Sequence, residues 1–107
     1  MSGDGLAEFY TKPSEAWRTG STEIIRFWTD DGDCWGFGFH RLSGAHYNAP
    51  TERLLIDFDM ATVAIAGPET LRFFDHFCDR QIISLKADGK DITSVTVILK
   101  SEKSLLG

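Results

Sequence analysis

The chain has 107 residues, sixteen acidic and eleven basic, giving a formal net charge of -5, with a rich aromatic set of eight Phe, three Trp and two Tyr. That length suits one domain around one core, and the aromatic content excludes disorder for most of it. The negative balance disfavours nucleic acid as a partner, and the two cysteines, Cys34 and Cys78, are too few and too far apart for a disulfide scaffold or a CxxC pair.

Both cysteines are therefore expected to be reduced thiols. No basic stretch followed by an apolar run opens the chain, and no segment holds the roughly 18 consecutive apolar residues of a membrane helix. No membrane association is expected, and a cytoplasmic location follows by default.

Residues 1–21 combine Gly, Pro, Ser and Thr with short apolar pieces, which reads as a flexible N-terminal arm docked by Tyr10 or Trp17. From Thr22 the pattern changes. Thr22 to Thr29 is dense in β-branched and aromatic residues and is followed by the turn sequence Asp30-Asp-Gly-Asp33, so a hairpin is expected. Its second arm, Cys34 to His40, alternates strictly. Trp35, Phe37 and Phe39 share one face, while Cys34, Gly36, Gly38 and His40 share the other. Leu42 to Tyr47 either extends this strand or begins another, before Asn48-Ala-Pro50 breaks it.

Arg53 to Phe58 and Thr62 to Ala66 form the next expected pair, with Leu54, Ile56 and Phe58 on one face and Asp57 and Asp59 toward solvent. Gly67-Pro-Glu-Thr70 is a helix start, because Pro at the first position loses no needed N–H and Glu in the first turn meets the positive end of the helix dipole. A helix over about 68–80 follows, its apolar stripe Leu71, Phe73, Phe74, Phe77 and Cys78 lying on a sheet. Ile82 to Ala87 and Ile92 to Leu99 then flank Asp88-Gly-Lys-Asp91, which reads as a closing hairpin. Residues 101–107 are expected to fray. The fold class is α+β: a mainly antiparallel sheet or partly open barrel of about six to seven strands, in a single domain over 22–100, with one helix before a C-terminal hairpin.

Gly36-Phe-Gly-Phe39 resembles the centre of the RNA-recognition-motif consensus, in which exposed aromatics stack on bases. Trp35, His40 and Leu42 stand where that consensus has a basic residue, Val and an aromatic, and residues 1–21 offer neither the strand nor the helix that should precede it. Residues 68–99 resemble the start of Sm-like barrels, over the last third of the chain only. The competing expectation for Trp35, Phe37 and Phe39 is an inner face packed under the Leu71, Phe74 and Phe77 stripe.

Glycine inside a strand costs stability and often marks close approach of a backbone or ligand. A groove over Gly36 and Gly38, rimmed by Cys34 and His40, is thus one candidate binding surface, and His46 and Tyr47 extend it. No cofactor is implied. His40, His46, His76, Asp57, Asp59 and Asp75 include no pair at helical metal-ligand spacing, and Cys34 and His40 lie about 20 Å apart on one extended strand, too far for a dyad. Asp75, His76 and Asp79 read as a solvated helix face, and Cys78 as a small core residue.

The expected function is a noncatalytic interaction module, as a monomer or homodimer, recognising a protein segment or small ligand through a strand edge or the glycine face. The alternatives are a small-molecule pocket enzyme using His40, His46 and Tyr47, and single-stranded RNA binding through Phe37 and Phe39.

Overall fold

A computed structural model of the chain describes residues 14–100. Over these residues it is an α+β fold of eight strands in two sheets with one α-helix: β1 (Trp17–Thr19), β2 (Ile24–Trp28), β3 (Cys34–Gly38), β4 (Leu42–Asn48), β5 (Arg53–Phe58), β6 (Ala61–Ala66), α1 (Thr70–Cys78), β7 (Ile82–Lys86) and β8 (Ser94–Leu99). One sheet has the order β1-β7-β2-β3 and the other β4-β5-β6-β8. Every pairing is antiparallel except that of β7 with β2. The two sheets do not close into a barrel.

The alternation in the sequence sets which faces meet. Leu54, Ile56 and Phe58 of β5, Val63 and Ile65 of β6, and Ile25 and Phe27 of β2 are fully or almost fully buried. Each such side chain contributes about 1.5–3 kcal/mol relative to exposure. The β2–β3 hairpin forms as the pattern predicts, Ile24 opposite Gly38 and Trp28 opposite Cys34. Phe37 stacks on Phe58 across the two sheets at a centroid distance of 4.6 Å, and Phe39 packs on Phe77 of the helix at 5.4 Å. The aromatic face of β3 is thus internal, and the ring beneath Phe37 comes from β5 instead of the helix.

Three expectations are corrected. The strands flanking Asp88 to Asp91 do not pair with each other: β7 enters the first sheet and β8 the second. Both edges of β7 are already taken, by β1 and β2, so β8 has no place beside it. The Asp-Gly step instead opens a wider crossover, in which the Asp88 carboxylate accepts the backbone N–H groups of Lys90, Asp91 and Ile92 at 2.9–3.0 Å. Second, the buried stripe of α1 is Thr70, Phe73 and Phe77, with Leu71 48% exposed and Cys78 exposed at its margin. A stripe centred on 70, 73 and 77 leaves 71 and 78 at its sides. Third, the sheet begins before residue 22, since β1 pairs with β7 and Trp17 is buried against Phe73 at 5.7 Å. Tyr10 and the expected frayed tail at 101–107 lie outside the described residues.

Gly67 joins β6 to α1 at φ 143°, a region that side-chain-bearing residues rarely enter. A Cβ there would sit 2.5 Å from the Asp91 carbonyl oxygen and 2.7 Å from the Ile92 Cα. The crossover therefore packs directly on this glycine, held by the Glu69 N–H to Asp91 O bond (3.0 Å) and the Thr93 N–H to Ala66 O bond (2.8 Å). The buried Thr70 hydroxyl closes the corner by donating to Gly67 O at 2.7 Å. Among the described residues, no helix is long and apolar enough to cross a membrane.

Candidate functional site

β3 is the outer strand of its sheet, and its hydrogen-bonding phase follows from the bonds at its two ends. The Thr29 N–H donates to Asp33 O at 2.8 Å, and the Phe39 N–H donates to Glu23 O at 3.0 Å. In an antiparallel ladder the residues that bond the partner alternate with those that do not. Asp33, Trp35, Phe37 and Phe39 therefore turn their backbone groups toward β2. The N–H and C=O groups of Cys34, Gly36 and Gly38 point the other way, where no described strand pairs with them.

The side chains of those three residues leave that edge accessible. Cys34 and Gly36 are exposed and Gly38 is half-buried. Gly38 has a local reason: after it the chain turns through one 3-10 turn, Phe39–Arg41, which folds His40 back so that a Cβ at 38 would lie 2.5 Å from its ring. At Gly36 the corresponding Cβ would meet Ile24 Cγ2 at 3.2 Å, a tight contact. The glycine face is thus partly covered by His40 and Ile24, and its open feature is the backbone edge. A depression of about 390 Å³ lies alongside, lined by Gly36, Phe37, Gly38, Arg41, Asp59 and Met60. Arg41 and Asp59, both in its lining, form an exposed 2.8 Å ion pair, and Met60 is 57% exposed.

The remaining candidates lie in the other sheet. His46 and Tyr47 are neighbours on β4 and so occupy opposite faces. Tyr47 stands opposite buried Leu54 and packs against the core, while His46 is exposed on the outer face in a shallow depression with Leu55, Asp57 and Thr62. The structure therefore brings Cys34, Gly36, Gly38 and His40 onto one strand and its turn and places His46 and Tyr47 elsewhere. Asp57 is engaged: it accepts from Lys100 Nζ and the Thr62 hydroxyl, each at 2.7 Å, and the first and then the second of these hold its carboxyl below the ordinary range. Phe37 and Phe39 are 4% and 3% exposed, so their rings are not available to stack on bases. Among the described residues, no group of three or more His, Cys, Asp or Glu side chains is placed to hold a metal ion.

A second part of the site carries only a partial signal in the sequence. The β2–β3 turn does not end in solvent but reaches the outer edge of β8. The Asp30 N–H donates to Val95 O at 3.1 Å, and Asp30 Oδ1 and Oδ2 accept from the Val95 N–H at 2.9 Å and the Ser94 hydroxyl at 2.8 Å. Thr29 donates its hydroxyl to Asp31, which lowers the Asp31 carboxyl. Next to this tether a second depression of about 390 Å³ is lined by Thr29, Asp30, Asp31, Asp33 and Trp35 from the first sheet and its turn and by residues of β8 that include Val97 and Leu99. Asp30-Asp-Gly-Asp33 was legible as a turn, but nothing in its residue types shows which strand it would meet. Comparison with protein-family models, curated proteins and solved structures finds no match to the chain.

Proposed function

We propose that this domain is a noncatalytic interaction module that takes up an extended segment of another polypeptide by strand addition at the edge of β3. The observation that supports it is the outward backbone of Cys34, Gly36 and Gly38, bordered by a depression and free of the devices that usually blunt an edge. Strand addition draws its affinity from main-chain bonds and its selectivity from pockets beside alternate side chains.

Two of the other outer strands are poorer platforms: β1 has three residues, and the pairing of β4 is broken by a register shift between Leu42 and Gly44. The small-molecule reading loses support because His40 lies on the turn after β3 while His46 and Tyr47 occupy opposite faces of β4. A cytoplasmic setting, in which the exposed thiol of Cys34 stays reduced, suits a surface of this kind.

The test is selection of binders from a displayed random peptide library, followed by titration of each into isotopically labelled protein. The reading expects the largest amide shifts, and slowed hydrogen exchange, at Cys34, Gly36 and Gly38. Binders that instead move only β4 or the outer face around His46 overturn it. Sedimentation of the protein alone tests the homodimer, in which a second copy would occupy the same edge.

A further inference from the structure

Building on that reading, we infer that the segment lies in a slot between β3 and β8, pairs with both, and is basic at its C-terminal end. The bonding phase of β8 is fixed as firmly as that of β3. Val95 turns its N–H and C=O outward to Asp30, and the Lys100 N–H turns inward to Met60 O at 3.0 Å. By alternation Thr96 and Ile98 bond β6, and the backbone groups of Val97 and Leu99 point outward. No described strand pairs with that side of β8.

These two open edges flank the same space. At one end the Asp30 tether holds the start of β8 against the turn that begins β3. At the other, Met60 bonds the chain at the end of β8 and lines the depression beside Gly38. β3 and β8 therefore run in the same direction along the slot, and the two depressions follow one another along β3, at Trp35 and then at Gly36 to Gly38. The floor is apolar, with half-buried Trp35 stacked on Phe37 and with Leu99 45% exposed. One strand inserted there meets two rows of unpaired backbone groups and covers Trp35 and Leu99. It joins the two sheets into one.

Because β3 and β8 run the same way, a single strand can be antiparallel to both, the stronger pairing mode. Its C-terminal end then lies beside Asp30, Asp31 and Asp33. Asp30 is engaged with Ser94 and Val95, whereas Asp31 and Asp33 have no cationic partner among the described residues. Lys or Arg at that end of the segment meets these carboxylates, and the net charge of -5 attracts such a partner at longer range.

The probes are a synthetic peptide alternating Val and Thr with two lysines at its C-terminus, the same peptide with glutamates there, and the one with lysines at its N-terminus. Titrated into labelled protein, the first is expected to protect the amides of Cys34, Gly36 and Gly38 together with those of Val97 and Leu99. It should bind at least about tenfold more tightly than the glutamate peptide, about 1.4 kcal/mol. An Asp31→Asn/Asp33→Asn double variant, both residues being exposed, should lose most of that preference while keeping the apo spectrum. Protection at β3 alone keeps strand addition but overturns the bridging strand. Equal binding of the lysine and glutamate peptides overturns the basic partner, and tighter binding of the N-terminal lysine peptide overturns the antiparallel direction. Absence of protection on both strands by every peptide, with none of the library-selected binders acting there, overturns the slot and the β3 reading together.

Discussion

Replacing Gly67 by Ala tests the packing of the crossover on the β6–α1 corner. The added methyl meets two obstacles. Its backbone must hold φ 143°, which costs about 1–3 kcal/mol for a residue with a side chain, and its Cβ lies 2.5 Å from a carbonyl oxygen and 2.9 Å from the Thr93 nitrogen. Those atoms belong to backbone and cannot rotate away, so the crossover must shift by several tenths of an ångström, at an overpacking cost of about 1–3 kcal/mol. The expected loss is therefore about 2–6 kcal/mol, a large part of the stability of a domain this size. Urea unfolding followed by tryptophan fluorescence reads it as a fall in midpoint of about 1 M or more. Gly44→Ala is the control, because a Cβ there meets nothing within 4 Å and its φ is not in the left-handed range. A Gly67→Ala loss below about 0.5 kcal/mol, the size typical of a neutral surface change, would refute the reasoning.

Asp88→Ala removes the acceptor of three backbone N–H groups at the start of the same crossover and should lower stability by about 1–2 kcal/mol in the urea assay; Asp88→Asn, which keeps one side-chain carbonyl, should lose less. Stability should fall as pH drops below about 4, as read from urea midpoints measured down to about pH 3. Asp57, through Lys100 and Thr62, and Asp88, where backbone N–H groups outweigh burial, have folded pKa values below the unfolded one. Their contribution is present above the unfolded value and lost as pH falls through the folded one, so a midpoint unchanged at pH 3 would contradict it. Cys78 should alkylate more slowly than Cys34 with iodoacetamide at pH 8, by mass spectrometry of the two peptides, although both are exposed. Burial first, then the charges of Asp75 and Asp79, raise the Cys78 thiol above its ordinary value and so reduce its reactive thiolate. Equal rates would remove that argument.

Local pattern was sufficient for the β2–β3 and β5–β6 hairpins, while it left open whether Leu42 to Tyr47 was a strand of its own, the β4 that pairs with β5. The alternation of Cys34 to Phe39, the Leu54, Ile56 and Phe58 face and the apolar spacing of Phe73 and Phe77 each lead to an element the structure contains. The helix nevertheless begins at Thr70 with Glu69 as its N-cap, two residues after the expected start at Pro68 and with no acidic residue in its first turn. The pattern failed where partners are distant. β7 and β8 read as a hairpin because the Asp-Gly step is a hairpin signal, yet their partners are β1 and β2 for one and β6 for the other. Hydrophobic spacing identifies a strand without naming its neighbour. The candidate site divides in the same way. Gly36 and Gly38 stood out as strand glycines, although a compositional signal could not reveal that one of them accommodates the folded-back ring of His40. The Asp30 tether to β8 spans 65 positions and rests on geometry that no local motif encodes.

The insertion of β7 between β1 and β2, antiparallel to the first and parallel to the second, also imposes an order of assembly. β2 pairs locally with β3, and β4, β5 and β6 form consecutive hairpins, so both partial sheets can form from residues 24–66. Each then has a raw inner strand, β2 in one and β6 in the other, whose partner comes from residues 82–99. A nascent chain emerging from the ribosome must expose these edges until residues 82–99 have followed. β7 and β8 therefore act after the other strands and together, protecting both sheets from pairing with neighbouring chains in one closing step.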